Sequence, residues 1–203
     1  MNFSGCLSTA LILGFLANCS LAQAPLQVDT PARKGLVLKK ESLGNIRPVH
    51  ALGDIYLAGQ PSRQDFALLK QRGFKTIISL RHIRELPWDE ASAVQRLGMK
   101  FVHIPFQGPA ELDSEVFDKV RKALRDNQRG RTLFHCGSAN RVGAVWYATR
   151  VLDDKLSTDA ALAEAKTAGL RTPQYLEKAQ EYVQAERAKI DAYQGHASSE
   201  TAK

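Results

Sequence analysis

The segment Phe134-His135-Cys136-Gly137-Ser138-Ala139-Asn140-Arg141-Val142-Gly143 is the unit from which the fold class follows. An apolar run, Thr132 to His135, leads into it, and a long apolar stretch, Arg141 to Leu152, leads out. A loop between a strand and a helix start turns successive backbone N–H groups inward above the positive helix end, which makes a cradle for an anion. Gly137, Ser138 and Ala139 are small, so the backbone can come close to a bound oxyanion, and Asn140 completes the loop. Arg141 can bond two oxygens of a phosphate-like group at once. On a bare surface its charge, in the first helical turn, would oppose the helix dipole. Helix N-termini and guanidinium groups favour the thiolate of a nearby cysteine, which makes Cys136 a candidate nucleophile. The ordinary alternative for an isolated cysteine is a buried, inert thiol.

Outward from this unit the same grammar repeats. Short apolar runs at Val49–Ala51 and Ile55–Ala58 predict a hairpin. Ser62 can cap a helix carrying Phe66 and Leu69, which Gly73 closes. Phe74–Leu80 reads as a buried strand, Trp88–Leu97 as a helix closed by Gly98, and Met99–Phe106 as another strand. Asp113 or Ser114 starts a helix with Val116, Phe117, Val120 and Leu124 on one face, closed near Gly130. Ser157–Ala168 and a helix from Pro173 to about Tyr193 follow. Three successions of helix, glycine and strand predict an α/β fold: a mostly parallel central sheet flanked by helices, with a helical C-terminal extension. Open parallel sheets bind ligands beyond the carboxyl ends of their strands. Here that rim collects Arg81-His82-Ile83-Arg84, Gln107 to Asp113, and Cys136 to Arg141.

The 203 residues, 44% hydrophobic and 24% charged, suit one globular domain over residues 44–193. An extended lead-in is expected over 23–43 and a disordered tail over 194–203. No charged side chain precedes Asp29, and Cys6 to Ala24 is rich in Leu, Ala and Ile. Residues 1–22 therefore read as a secretory signal peptide cut after Ala22, which implies a periplasmic or secreted protein without stable membrane insertion. The absence of Lys or Arg before the apolar run keeps a retained anchor as the rival. Cleavage removes Cys6 and Cys19 and leaves Cys136 as the sole thiol, so no internal disulfide is possible. The net charge of +7 falls wholly on the mature chain and suits acidic partners or a solvated basic surface equally. No nucleic-acid motif and no metal-ligand spacing occur; His82 and His103 read as structural.

His135-Cys136 with Arg141 and Gly143 resembles the signature of cysteine-dependent tyrosine and dual-specificity phosphatases. Tyr56-Leu57-Ala58-Gly59-Gln60-Pro61-Ser62 and Gly73-Phe74-Lys75-Thr76-Ile77-Ile78-Ser79-Leu80-Arg81 look more specifically like a bacterial phosphatase-like group, which includes the phosphatase-like domain of beta-lactamase-hydrolase-like proteins. Two departures stand out. Four residues separate Cys136 from Arg141 where phosphatases have five, a spacing shared with rhodanese-like sulfurtransferases. Val142 stands where phosphatases often carry Ser or Thr. The resemblance implies a phosphorylated substrate, protein or small molecule, and no cofactor. Cys136 would attack phosphorus and form a phosphocysteine, with Arg141 and the amides of Gly137, Ser138, Ala139 and Asn140 holding the phosphoryl group. His135 would orient the loop, and Arg81 would attract substrate. The general acid is expected in the loop after Phe106, where Glu111 and Asp113 are the candidates, Asp113 being equally suited to cap a helix. A sulfurtransferase and a non-catalytic phosphate-binding protein are the alternatives.

Overall fold

The computed structural model describes Met1, Arg33, residues 35–127 and residues 130–200, the last seven by backbone alone. The leader expected over 1–22 lies, Met1 apart, outside the described residues. In chain order the elements are β1 (Lys39–Lys40), β2 (Val49–Leu52), β3 (Ile55–Ala58), α1 (Asp65–Gln71), β4 (Phe74–Ser79), α2 (Glu90–Arg96), β5 (Lys100–His103), α3 (Ser114–Asp126), β6 (Arg131–His135), α4 (Asn140–Leu152), α5 (Thr158–Ala168) and α6 (Pro173–Glu200).

The strands form one six-stranded sheet in the order β1-β2-β3-β6-β4-β5. The expected hairpin is β2–β3; β3–β6, β6–β4 and β4–β5 all pair in parallel. The sheet is therefore mixed but mostly parallel, as the alternation of strands and helices predicts. Register aligns Ala58, His135, Ser79 and His103 in one row across four strands. The loops after that row all open on the same rim.

Both sheet faces are covered, so the inner strands are apolar on both sides rather than alternating. In β4 and β6, Ile78 and Phe134 face one core with Phe117, Trp146 and Tyr182, whereas Ile77 and Leu133 face the other with Phe66, Leu69 and Val94. Each fully buried side chain of this size contributes about 1.5–3 kcal/mol. The helix α4 lies between sheet and helices: every residue from Arg141 to Leu152 is buried.

Several boundaries move for local physical reasons. Ser62 caps α1 from three residues upstream, its Oγ accepting the N–H of Asp65, the first helical residue (3.3 Å). Its N–H and hydroxyl donate to Asp65 (2.8 and 2.7 Å), tying a turn that precedes the helix. The helix α2 starts at Glu90 rather than Trp88 because the Asp89 side chain accepts the Ser92 N–H (2.9 Å). Gly73 and Gly98 follow α1 and α2 with φ of +81° and +68°, the left-handed geometry that closes a helix. The helix α3 ends at Asp126, short of Gly130, and α6 runs seven residues past Tyr193 to Glu200. Within the expected lead-in, Lys39 and Lys40 pair with Ala51 and His50 as a short edge strand. Among the described residues no helix is long and apolar enough to cross a membrane.

Candidate functional site

The strand β6 ends at His135, and Cys136 begins the loop that turns into α4. Its N–H donates to Ala58 C=O (3.4 Å) and its side chain is buried at 1% exposure. The loop is pinned on both flanks. On one side Gly59 bridges to Ser138, and the Gln60 N–H donates to Gly137 C=O (3.2 Å). Gly59 has to lack a side chain, since a Cβ there would lie 2.0 Å from Arg47 O. On the other side the α5–α6 corner grips the loop. Arg171 donates to Ser138 Oγ (2.6 Å) and Ser138 O (3.3 Å), while Asn140 Oδ1 accepts the Arg171 and Thr172 N–H groups (2.9 and 3.3 Å). The side chain of Asn140 therefore serves the corner, and only its backbone remains for an anion. Ala139 sits at φ +60° immediately before α4, a left-handed conformation strained for any residue but glycine.

Arg141 is fixed with unusual thoroughness. Its Nη1 donates to Glu85 Oε1 (2.8 Å), Leu80 O (3.0 Å) and Phe106 O (2.5 Å), and its Nη2 to Glu85 Oε2 (2.7 Å). Burial pulls the guanidinium pKa down, but the Glu85 bond and the nearby Cys136 and Glu85 charges outweigh it and raise the pKa above its ordinary value. Burial likewise pushes Glu85 up, and the Arg141 hydrogen bond leads the effects that bring it below the usual carboxylate range. Arg81 reaches the same carboxylate, with Nε 3.0 Å from Glu85 Oε2 and Nη2 donating to Glu85 O (2.7 Å). Its Nη1 comes within 3.0 Å of where a Cβ on Gly137 would stand. Arg81 is thus built into the wall of the loop rather than waving at its entrance. Two guanidinium groups against one carboxylate leave a positive charge beside Cys136.

The loop after Phe106 borders the site, since Phe106 O accepts from Arg141 Nη1. Glu111 ends a short 3-10 turn (Pro109–Glu111), and its Oε2 accepts the Gln107 N–H (2.8 Å). Asp113 caps α3 by accepting the Val116 N–H (3.0 Å). Tyr175 of α6 donates to Gln107 O (2.8 Å) and sets its ring edge-on to Phe106 at 6.0 Å. Burial, with Cys136, Glu85 and Glu111 adding to it, raises the Tyr175 pKa above its ordinary value against the opposing charge of Arg141.

His135 is completely buried, and burial pulls its pKa below 6.5, with Glu90 the leading opposing influence. His82 accepts the Arg84 N–H through Nδ1, and His103 Nε2 lies 2.7 Å from Arg81 O. Among the described residues no cluster of His, Cys, Asp or Glu has the makeup of a metal site. Glu85, Tyr175 and Arg171 were missed by the sequence reading. Glu85 alone carried a signal, an acid immediately after the basic run Arg81–Arg84 on the predicted rim.

No family model matches the chain. A curated relative, the beta-lactamase hydrolase-like protein of Xylella fastidiosa, is 26% identical over 108 residues, which cover 51% of this chain and 25% of that protein. The chain thus matches about a quarter of that relative's length. Among solved structures, the DUF442 phosphatase candidate of Shewanella putrefaciens CN-32 superposes with a TM-score of 0.60 at 23% identity, covering 69% of this chain and 93% of that one. A Cys-to-Ser variant of P. aeruginosa TpbA in complex with pTyr superposes with a TM-score of 0.52 at 20% identity, covering 74% and 90%. The resemblance to bacterial phosphatase-like proteins stands, and the fold is theirs.

Proposed function

We propose that this chain is a cysteine-dependent phosphatase that hydrolyses a phosphate monoester through a phosphocysteine. One observation carries the reading. Cys136, the one cysteine among the described residues, sits in a strand-to-helix loop beside two arginines that share one carboxylate, within a fold of phosphatase type. The complex of TpbA with pTyr supports a phosphorylated substrate for this chain as well.

The Cys136 thiolate attacks phosphorus, a sulfur–phosphorus bond forms, and the ester P–O bond breaks with its electrons passing to the leaving oxygen. Arg141 and the loop amides hold the equatorial oxygens as charge develops on them. Glu111 protonates the leaving oxygen; Asp113 is committed to capping α3. Water, losing its proton to Glu111, then attacks phosphorus and releases orthophosphate and the thiolate. Ser138, its Oγ already accepting from Arg171, is the hydroxyl nearest in sequence to assist in place of the absent one at Val142. We infer export of the mature chain from its charge-free leader.

Turnover of p-nitrophenyl phosphate by the mature chain tests the reading. Activity abolished by Cys136→Ser, and a Glu111→Gln loss that grows for poorer leaving groups, are expected. Undiminished turnover in Cys136→Ser would sink the mechanism. Orthophosphate binding without turnover would leave a binding protein.

A further inference from the structure

The Gly59-Gln60-Pro61 motif and the carboxylate of Glu90 take no part in the phosphoryl chemistry above. They meet beneath the loop. Glu90, the first residue of α2, is 6% exposed. Its Oε1 accepts from Gln60 Nε2 (2.6 Å) and lies 3.4 Å from His135 Nε2, and its Oε2 accepts the Ser79 hydroxyl (2.8 Å). One carboxylate therefore touches the ends of three neighbouring strands: Gln60 two residues after β3, Ser79 closing β4 and His135 closing β6.

A carboxylate taken from water is costly unless its oxygens are paired. Here the pairing has a geometric result. With its side chain held by Glu90, Gln60 aims its N–H at the Gly137 carbonyl, and the neighbouring Gly59 bridges to Ser138. A cradle for an anion requires N–H groups inward and carbonyl oxygens outward. The bond from Gln60 holds the first carbonyl after Cys136 away from the bound oxyanion.

We propose that Glu90, acting through Gln60, is the positioning residue that sets the Cys136 loop in its anion-binding conformation. This rests on the loop binding a phosphoryl group. Glu90 does not touch substrate; its partner Gln60 transmits the constraint through the main chain.

The test exchanges the two ends of the bond. The full chain is compared with Gln60→Glu, Glu90→Gln and the double variant, following kcat and KM for p-nitrophenyl phosphate, inhibition by orthophosphate, and the iodoacetamide alkylation rate of Cys136 read on its own peptide. Gln60→Glu sets two carboxylates face to face and is expected to weaken orthophosphate binding and slow alkylation about 10- to 100-fold. Glu90→Gln keeps the Gln60 bond on its one amide oxygen, reverses the Ser79 bond by donating to that hydroxyl, removes the charge, and costs about threefold. The double variant restores an amide–carboxylate pair with its ends reversed and recovers both quantities to within about threefold. Should Gln60→Glu fail to fold, Gln60→Met keeps the bulk without the bond and is expected to show the same slowing. Equal alkylation rates in all forms would overturn the proposal, as would a double variant that regains its thermal midpoint but not its orthophosphate affinity. Alkylation that follows the expected pattern without turnover in any form upholds the positioning role and defeats the phosphatase reading instead.

Discussion

Two arginines on α4 stand nine residues apart, both buried, both gripping a glutamate with two nitrogens. Arg150 donates through Nε and Nη2 to Glu164 (2.8 and 3.0 Å) and through Nη1 to Asp154 (2.8 Å), while Arg33 closes the cluster by bonding Asp154 (3.1 Å). Two guanidinium groups meet two carboxylates there, and the charge cancels. Around Arg141 the count differs: Arg81 and Arg141 share Glu85 alone, and the Nε of Arg141 bonds no described residue. In the first cluster every guanidinium nitrogen of Arg150 is bonded, its side chain is 1% exposed, and Asp154 ties the lead-in at Arg33 to the helix. The second retains a positive charge and an unused donor beside a thiol. A buried arginine is architecture when its donors and charge are answered, and a binding group when they are not.

That contrast is broken most directly by substituting both. Arg141→Lys keeps a charge but loses the planar fork, and is expected to lower kcat about 10²–10³-fold. The thermal midpoint is expected to fall as well, through the acceptors left unpaired, but by less than in Arg150→Met. Arg150→Met is expected to do the reverse: it strands Glu164 and Asp154 and destabilises the fold by about 3–5 kcal/mol in urea titrations, with kcat per folded molecule retained. Equal damage to activity and stability in both variants would erase the distinction.

A smaller effect sharpens it. Glu85→Gln removes the single carboxylate and leaves two uncompensated cations at the site. Orthophosphate inhibition is expected to be no weaker than in the native chain, whereas kcat falls about tenfold because Arg141 loses its charged anchor. Weaker inhibition would mean that Glu85 does not restrain Arg141.

The smallest effect comes from His135. Its folded pKa lies below 6.5, so over the interval beneath 6.5 the unfolded chain takes up a proton that the folded chain refuses. Stability is therefore expected to be full above about pH 6.5 and to decline as pH falls from there towards the folded pKa. Glu85, lowered from 4.5, gives a loss of the same sign in a more acidic window. Urea midpoints between about pH 5 and 7.5 should slope for the native chain and slope less in His135→Asn. The remainder comes from His50, whose pKa burial and then Lys40 also lower. A native profile already flat there would count against the buried neutral imidazole.

The elements that could be read from sequence are those whose signals are local. Helices ending in glycine before β-branched runs identify α1–β4 and α2–β5, and the loop from Cys136 to Arg141 carries its own spacing. The partnerships that organise the site span large separations: Glu85 to Arg141 is 56 positions, Gln60 to Glu90 is 30, and Ser138 to Arg171 is 33. Glu90 and Arg171 look in sequence like ordinary charged residues at a helix start and a corner, and Glu85 is marked only by following the basic run Arg81–Arg84. Ser62 shows the converse: its local capping signal holds, yet the residue also donates to the Asp65 carboxylate, a reciprocal pairing that the signal alone does not reveal. Asp113 was legible as a cap because capping needs only three residues of context.

With no solvent-facing side between Arg141 and Leu152, α4 has no margin along which to fray or slide. Its amides are expected among the slowest to take up deuterium, which would anchor the Cys136 loop to the part of the molecule that opens last. Loss of function on heating should accordingly coincide with cooperative melting instead of preceding it, in contrast to enzymes whose reactive groups ride on loosely held surface segments.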